Sequence, residues 1–172
     1  MTLAWRTYVA VLVGTLLWCG AFVLAPFFAG LPGPFTAVGN TLYGLLSPVC
    51  HQIDERSLTL LGLPLGVCTR CSAVYFGFLA GVFLYPLLRS VSRPAYPPRW
   101  IIALAVLPML ADVIAGWTSL HTVSGTTRLF TGAFFGLIIP FVVLPALIEA
   151  VNELRASHRR PFHHPQKGLS DA

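Results

Sequence analysis

The residues in this chain best equipped for chemistry are Cys50-His51-Gln52, followed eighteen positions on by Cys68-Thr69-Arg70-Cys71. A Cys-x-x-Cys pair brings two sulfurs near one another. At a helix start, backbone N–H groups and the helix dipole favour thiolate over thiol, and Arg70 adds positive charge. Thiolates are both metal ligands and nucleophiles, so three readings follow. In the first, Cys50, Cys68 and Cys71 hold a transition metal, zinc ahead of iron, with His51 as the fourth ligand of a tetrahedral set and Asp54 as the substitute. In the second, Cys68 and Cys71 cycle between dithiol and disulfide, and Cys50 acts as exchange partner. In the third, the chain is a non-catalytic transporter or accessory subunit, and the cysteines only brace the local structure. Cys19 lies in the middle of an apolar run and reads as a packing residue.

The elements that must carry these residues are helices in a membrane. Of the 172 residues, 56% are hydrophobic and 10% charged, and the mean hydropathy is +0.76. Soluble domains carry roughly 25% charged residues. Four stretches are long enough to cross about 30 Å of hydrocarbon: residues 8–28, 71–88, 100–117 and 129–148. Lipid offers the backbone no hydrogen-bonding partner, so such runs must be helical, and none alternates in polarity as a barrel strand would. The first run exceeds the apolar core of a signal peptide and is expected to stay as a helix. The expected fold is an all-α integral membrane bundle of four transmembrane helices. A short re-entrant or interfacial helix, drawn from the apolar run Phe35–Val49, would sit on the outer face, and a bent segment would span Leu58–Val67. Residues 1–155 form one transmembrane domain, and residues 156–172 a basic, disordered cytoplasmic tail.

The net charge of +5 flanks the apolar runs, which is how a bilayer sorts charge, so the expected partner is lipid and not nucleic acid. Arg6, Arg89, Arg93, Arg99, Arg155, Arg159, Arg160 and Lys167 fall on one side, against Arg56, Arg70 and Arg128 on the other. That asymmetry places both termini in the cytoplasm and the cysteines outside, in a bacterial or archaeal plasma membrane. Two small-xxx-small patterns, Gly77–Gly81 and Gly132–Gly136, permit close helix approach, with packing inside one chain favoured over dimerisation. Asp112 is the one carboxylate inside a span, and such a group invites a partner and a function. Arg128 is its natural partner and Arg70 the alternative. Together with Gln52 these residues would surround the cysteines or line a small substrate pocket. His121 reads as a loop residue, with a ligand or proton relay as the alternative.

Around these positions the chain resembles the small predicted membrane proteins grouped as domain of unknown function 2085. The resemblance rests on Cys50-His51-Gln52, Arg56-Ser57, Val67-Cys68-Thr69-Arg70-Cys71, Tyr75-Phe76-Gly77, Asp112, and Arg128-Leu129-Phe130-Thr131-Gly132. It implies a membrane location and a shared outer-face site, and it implies no activity. The Cys-x-x-Cys at an outer helix start also looks somewhat like the bacterial quinone-dependent disulfide-generating proteins, but their second outer cysteine pair is missing here. No nucleotide-binding loop, serine-nucleophile motif or paired-carboxylate pattern is present. ATP hydrolysis, acyl transfer and glycoside cleavage therefore have no support, and whether the chain is an enzyme stays open.

Overall fold

The computed structural model describes residues 2–92, 95–118 and 124–159. Its helices are α1 (Leu3–Ala29), α2 (Pro34–Leu46), α3 (Thr69–Leu88), α4 (Arg99–Trp117), α5 (Gly125–Ile138) and α6 (Pro140–Arg159). Four spans are long and apolar enough to cross a membrane, the fourth being the continuous stretch Gly125–Ser157. The protein is thus a multi-pass helical membrane protein, as its apolar runs require. The last span differs from expectation in being two helices that meet at Ile139-Pro140. Proline lacks the N–H that would continue the ladder and its ring crowds the preceding turn, which breaks or kinks a helix there. Helix α6 runs on to Arg159, into what reads as tail; residues 160–172 lie outside the described residues.

Helix α2 is the short helix expected outside the spans. It begins with Gly33 at φ +82° and Pro34 in its first position. Gly39 lets it lie against the Ala29 backbone of α1. After it come a 3-10 turn, Asp54–Arg56, and a hairpin of two short strands, β1 (Thr59–Leu60) and β2 (Leu63–Pro64). Leu61 and Gly62 between them both have positive φ, 54° and 83°, as a two-residue hairpin turn of the mirror-image type demands. The bent segment read between Leu58 and Val67 is this hairpin.

Helices α3 and α5 make the central contact, and glycine is the reason. A methyl group on Gly77 would stand on the Ala133 carbonyl, one on Gly81 on the Leu137 carbonyl, and one on Gly136 on the Val74 carbonyl. Two small-xxx-small stripes thus face each other within one chain, and backbone packs on backbone. Helix α1 joins this pair through two apolar clusters. At the cysteine end, Cys19, Phe22, Leu46, Cys50 and Val67 pack with Trp18, Cys68, Cys71 and Tyr75. At the other end, Ala4, Tyr8, Val82, Tyr85, Leu144 and Ile148 pack together, and the Tyr8 hydroxyl donates to the Val82 carbonyl at 3.2 Å. Helix α4 lies on the flank and buries only Ala105 and Asp112. Its exposed Leu107, Leu110 and Ile114 suit lipid, which is as apolar as they are.

The seam yields a direct test. Gly136→Val forces a branched side chain into a backbone carbonyl, and overpacking of this kind costs about 1–3 kcal/mol or more. Gly14→Val meets open space and should leave the melting temperature in mild detergent unchanged. Equal melting temperatures for the two variants would contradict the seam.

Candidate functional site

The three cysteines are delivered by two segments. Cys50 follows α2, its N–H bonded to the Leu46 carbonyl at 3.1 Å, so the helix end fixes where its side chain points. Cys68 is the N-cap of α3, and Cys71 lies in the first turn. The Cys68 N–H donates to the Cys50 sulfur at 3.2 Å, so the N-terminus of α3 is capped by a sulfur from the other segment. The three Sγ atoms all lie within 4.8 Å of one another. Cys50 is buried, while Cys68 and Cys71 are half-buried.

Gln52 locks this juxtaposition. Its Nε2 donates to the Tyr43 carbonyl at 2.8 Å and to the Gly66 carbonyl at 2.9 Å, tying the end of α2 to the segment that leads into Cys68. The price is backbone strain: Gln52 has φ +47°, a region a non-glycine residue enters only when its surroundings hold it there. The Tyr43 hydroxyl donates to the Pro64 carbonyl, and the Gly66 N–H donates to the Phe22 carbonyl at 3.0 Å. Read from sequence, Gln52 was a polar group for a pocket wall. It does line the cavity, but its hydrogen bonds make it the clamp between the two cysteine-bearing segments.

The thiol of Cys68, just ahead of the second span, is lowered well below the ordinary thiol range. The hydrogen bond from the Cys71 side chain is the main cause; the Cys71 N–H, the Cys50 side chain and the Arg70 N–H contribute, and burial opposes them.

A cavity of about 290 Å³ opens beside the sulfurs, lined by Cys50, Cys68 and Cys71 together with His51, Gln52, Arg56, Arg70, Arg128 and Trp117. His51 is exposed and shares this cavity, although the close three-sulfur group does not include it. Asp54 is exposed in the 3-10 turn, also outside that group. Asp112 is buried and paired with Arg70 through Oδ2 and Nη2. The partner named first from sequence, Arg128, does not take this role: it lines the cavity, and its buried Nε has no hydrogen-bond partner among the described residues. Position along the chain places both arginines at the right depth, and only the way α3 and α4 pack on α5 chooses between them. Arg56 also lines the cavity; the sequence offers it as part of a motif and as one of the three basic residues on this side, with no role at the site. His121 lies outside the described residues. Cys19 sits one layer deeper, its sulfur donating to the Tyr75 carbonyl at 3.7 Å, as its packing role requires.

Two substitutions test this description. Asp112→Ala strips Arg70 of a buried counter-charge, and breaking such a pair costs about 3–5 kcal/mol. The same change at Arg128 should cost far less, and a larger loss of thermal stability for Arg128→Ala would overturn the pairing. Gln52→Ala removes two hydrogen bonds worth about 1 kcal/mol each, which should appear as a lower melting temperature and faster alkylation of Cys50.

Comparison with known proteins agrees with this architecture. The profile of the family described as Predicted membrane protein (DUF2085) matches residues 50–154, which takes in all three clustered cysteines, Asp112 and the three arginines of the cavity. An uncharacterised protein of Methanocaldococcus jannaschii is 30% identical over 149 residues, 85% of this chain and 96% of that protein. Another, from Methanothermobacter thermautotrophicus, is 32% identical over 105 residues, 58% of this chain and 90% of its own length. No solved structure matches. The chain belongs to the family of predicted membrane proteins designated domain of unknown function 2085.

Proposed function

We propose that this membrane protein holds a transition metal ion, zinc in the first instance, on the thiolates of Cys50, Cys68 and Cys71. One observation carries the reading: three sulfurs from segments eighteen residues apart stand within 4.8 Å of one another. Around a tetrahedral zinc with Zn–S near 2.3 Å, sulfurs stand about 3.8 Å apart, so side-chain adjustments of about 1 Å complete the site. Soft thiolate sets select zinc, copper(I) or iron–sulfur chemistry over hard cations. His51 supplies the fourth ligand from the cavity wall, and if it stays turned away the fourth position is open to water or a small ligand. The excess of Lys and Arg at the opposite end of the bundle supports a centre on the extracytoplasmic face with both termini in the cytoplasm.

A second reading, a membrane thiol–disulfide oxidoreductase using Cys68 and Cys71, is favoured by the lowered Cys68 thiol. A low-pKa thiol beside a second cysteine is the usual reactive arrangement.

Elemental analysis of untagged protein in mild detergent, with thiols counted on the same sample, separates the two. About one zinc per chain, lost in Cys68→Ser, is the result expected. Absence of metal, with two thiols recovered only after reduction, would retire the metal reading in favour of disulfide chemistry. For the orientation, a cysteine placed at Leu61, which is 75% exposed at the hairpin tip, should react with a membrane-impermeant maleimide on intact cells. Labelling only after lysis would reverse the topology.

A further inference from the structure

The three basic residues at the cysteine end of the bundle, Arg56, Arg70 and Arg128, arrive from three different elements and all line one cavity. Bringing guanidinium groups together is unfavourable unless negative charge offsets their repulsion. Among the described residues no carboxylate lines the cavity. Asp112 answers Arg70 from behind, and three thiolates on a divalent ion carry one further negative charge. With that ion bound, one guanidinium is left without a counter-charge among the described residues. An unsatisfied donor points the same way: the Nε of Arg128 is buried and has no hydrogen-bond partner among the described residues, whereas the Nε of Arg70 lies on the side chain that Asp112, itself with a free Oδ1, already pairs. An Nε–H beside a terminal N–H is one edge of the fork with which arginine grips two oxygens of a phosphate or carboxylate.

We propose that this cavity is an anion site, in which Arg128 and Arg56 hold a phosphate-class oxyanion beside the three sulfurs while Asp112 keeps Arg70 in place. Its size, about 290 Å³, lies at the lower end of ligand pockets and suits a small ion or a single headgroup better than an extended metabolite. Trp117, 85% exposed on the rim, is the kind of side chain that settles at the membrane–water boundary. The same oxyanion chemistry is therefore met either by inorganic phosphate from the aqueous side or by the phosphate of an anionic lipid. The inference rests on the metal reading only for the charge count; the convergence of arginines and the unpartnered Nε of Arg128 stand without it.

The test is binding by the full-length protein, delipidated in maltoside and prepared both as purified and after stripping with chelator. Inorganic phosphate is titrated by calorimetry, and in parallel the protein is placed in nanodiscs of phosphatidylglycerol or phosphatidylcholine and co-purifying lipid is counted. Arg56→Gln and Arg128→Gln should each weaken binding at least tenfold and leave metal content unchanged, whereas Arg128→Lys should recover part of it. Arg56 is exposed on the 3-10 turn, so its variant reports on binding even if the Arg128 variant folds poorly. Phosphate binding without lipid supports the site with a soluble ion, and phosphatidylglycerol retention alone supports it with a headgroup. If neither probe binds wild type better than the double variant, the anion site is refuted. Cys68→Ser keeps the two proposals apart, because it removes the metal and should leave the arginine-dependent binding measurable.

Discussion

The close contact between α3 and α5 is the constraint on which the rest of this protein depends. In lipid there is no water to expel from between helices, so association relies on packing and on polar contacts. Gly77 and Gly81 on one helix and Gly136 on the other remove the side chains that would hold the backbones apart. This contact sets the depth of α3 against α5, and so brings Arg128 beside Arg70 and the first turn of α3. Helix α4, which buries little else, then contributes Asp112 to the Arg70 side of that arrangement. The cavity is a product of helix register more than of loop shape.

The other half of the site depends on a different kind of order. Cys50 belongs to a connection outside the spans, where water is available and lipid imposes no regular structure. There the chain uses discrete devices: a proline-started helix, a hairpin with two positive-φ residues, and the Gln52 side chain bonded to two carbonyls. The cluster thus joins a part specified by the bilayer to a part specified by individual hydrogen bonds. Both parts fall at least partly within the residues that the family profile matches.

Much of this was legible in the sequence because the physics was one-dimensional. Uninterrupted apolar runs in lipid have one outcome, so the four spans and the short helix outside them followed from composition and length. The cysteines declared themselves by type and spacing, and the structure brings their three sulfurs together. Features decided by register between distant segments were not legible. Asp112 had two arginines at suitable depth, and nothing along the chain chose Arg70 over Arg128. The glycine stripes were visible, but not that they face each other. Gln52 looked like a pocket residue because its partners are backbone carbonyls, which carry no sequence signal. Arg56 was passed over as part of a motif because its approach to the other arginines depends on a turn too short to read.

The Gln52 clamp also bears on the thermodynamics of ion capture. Joining two points eighteen residues apart in a flexible chain costs roughly 2.5 kcal/mol in loop-closure entropy. In small metal-dependent domains the ion itself supplies that ordering, which is why folding and binding are a single event there. Here the loop is already closed by an amide side chain and a hairpin before any ion arrives. On the proposed metal reading, affinity at such a preorganised centre would reflect the sulfur–ion bonds with little deduction for ordering the chain, and an ion would leave and return while the protein stays folded.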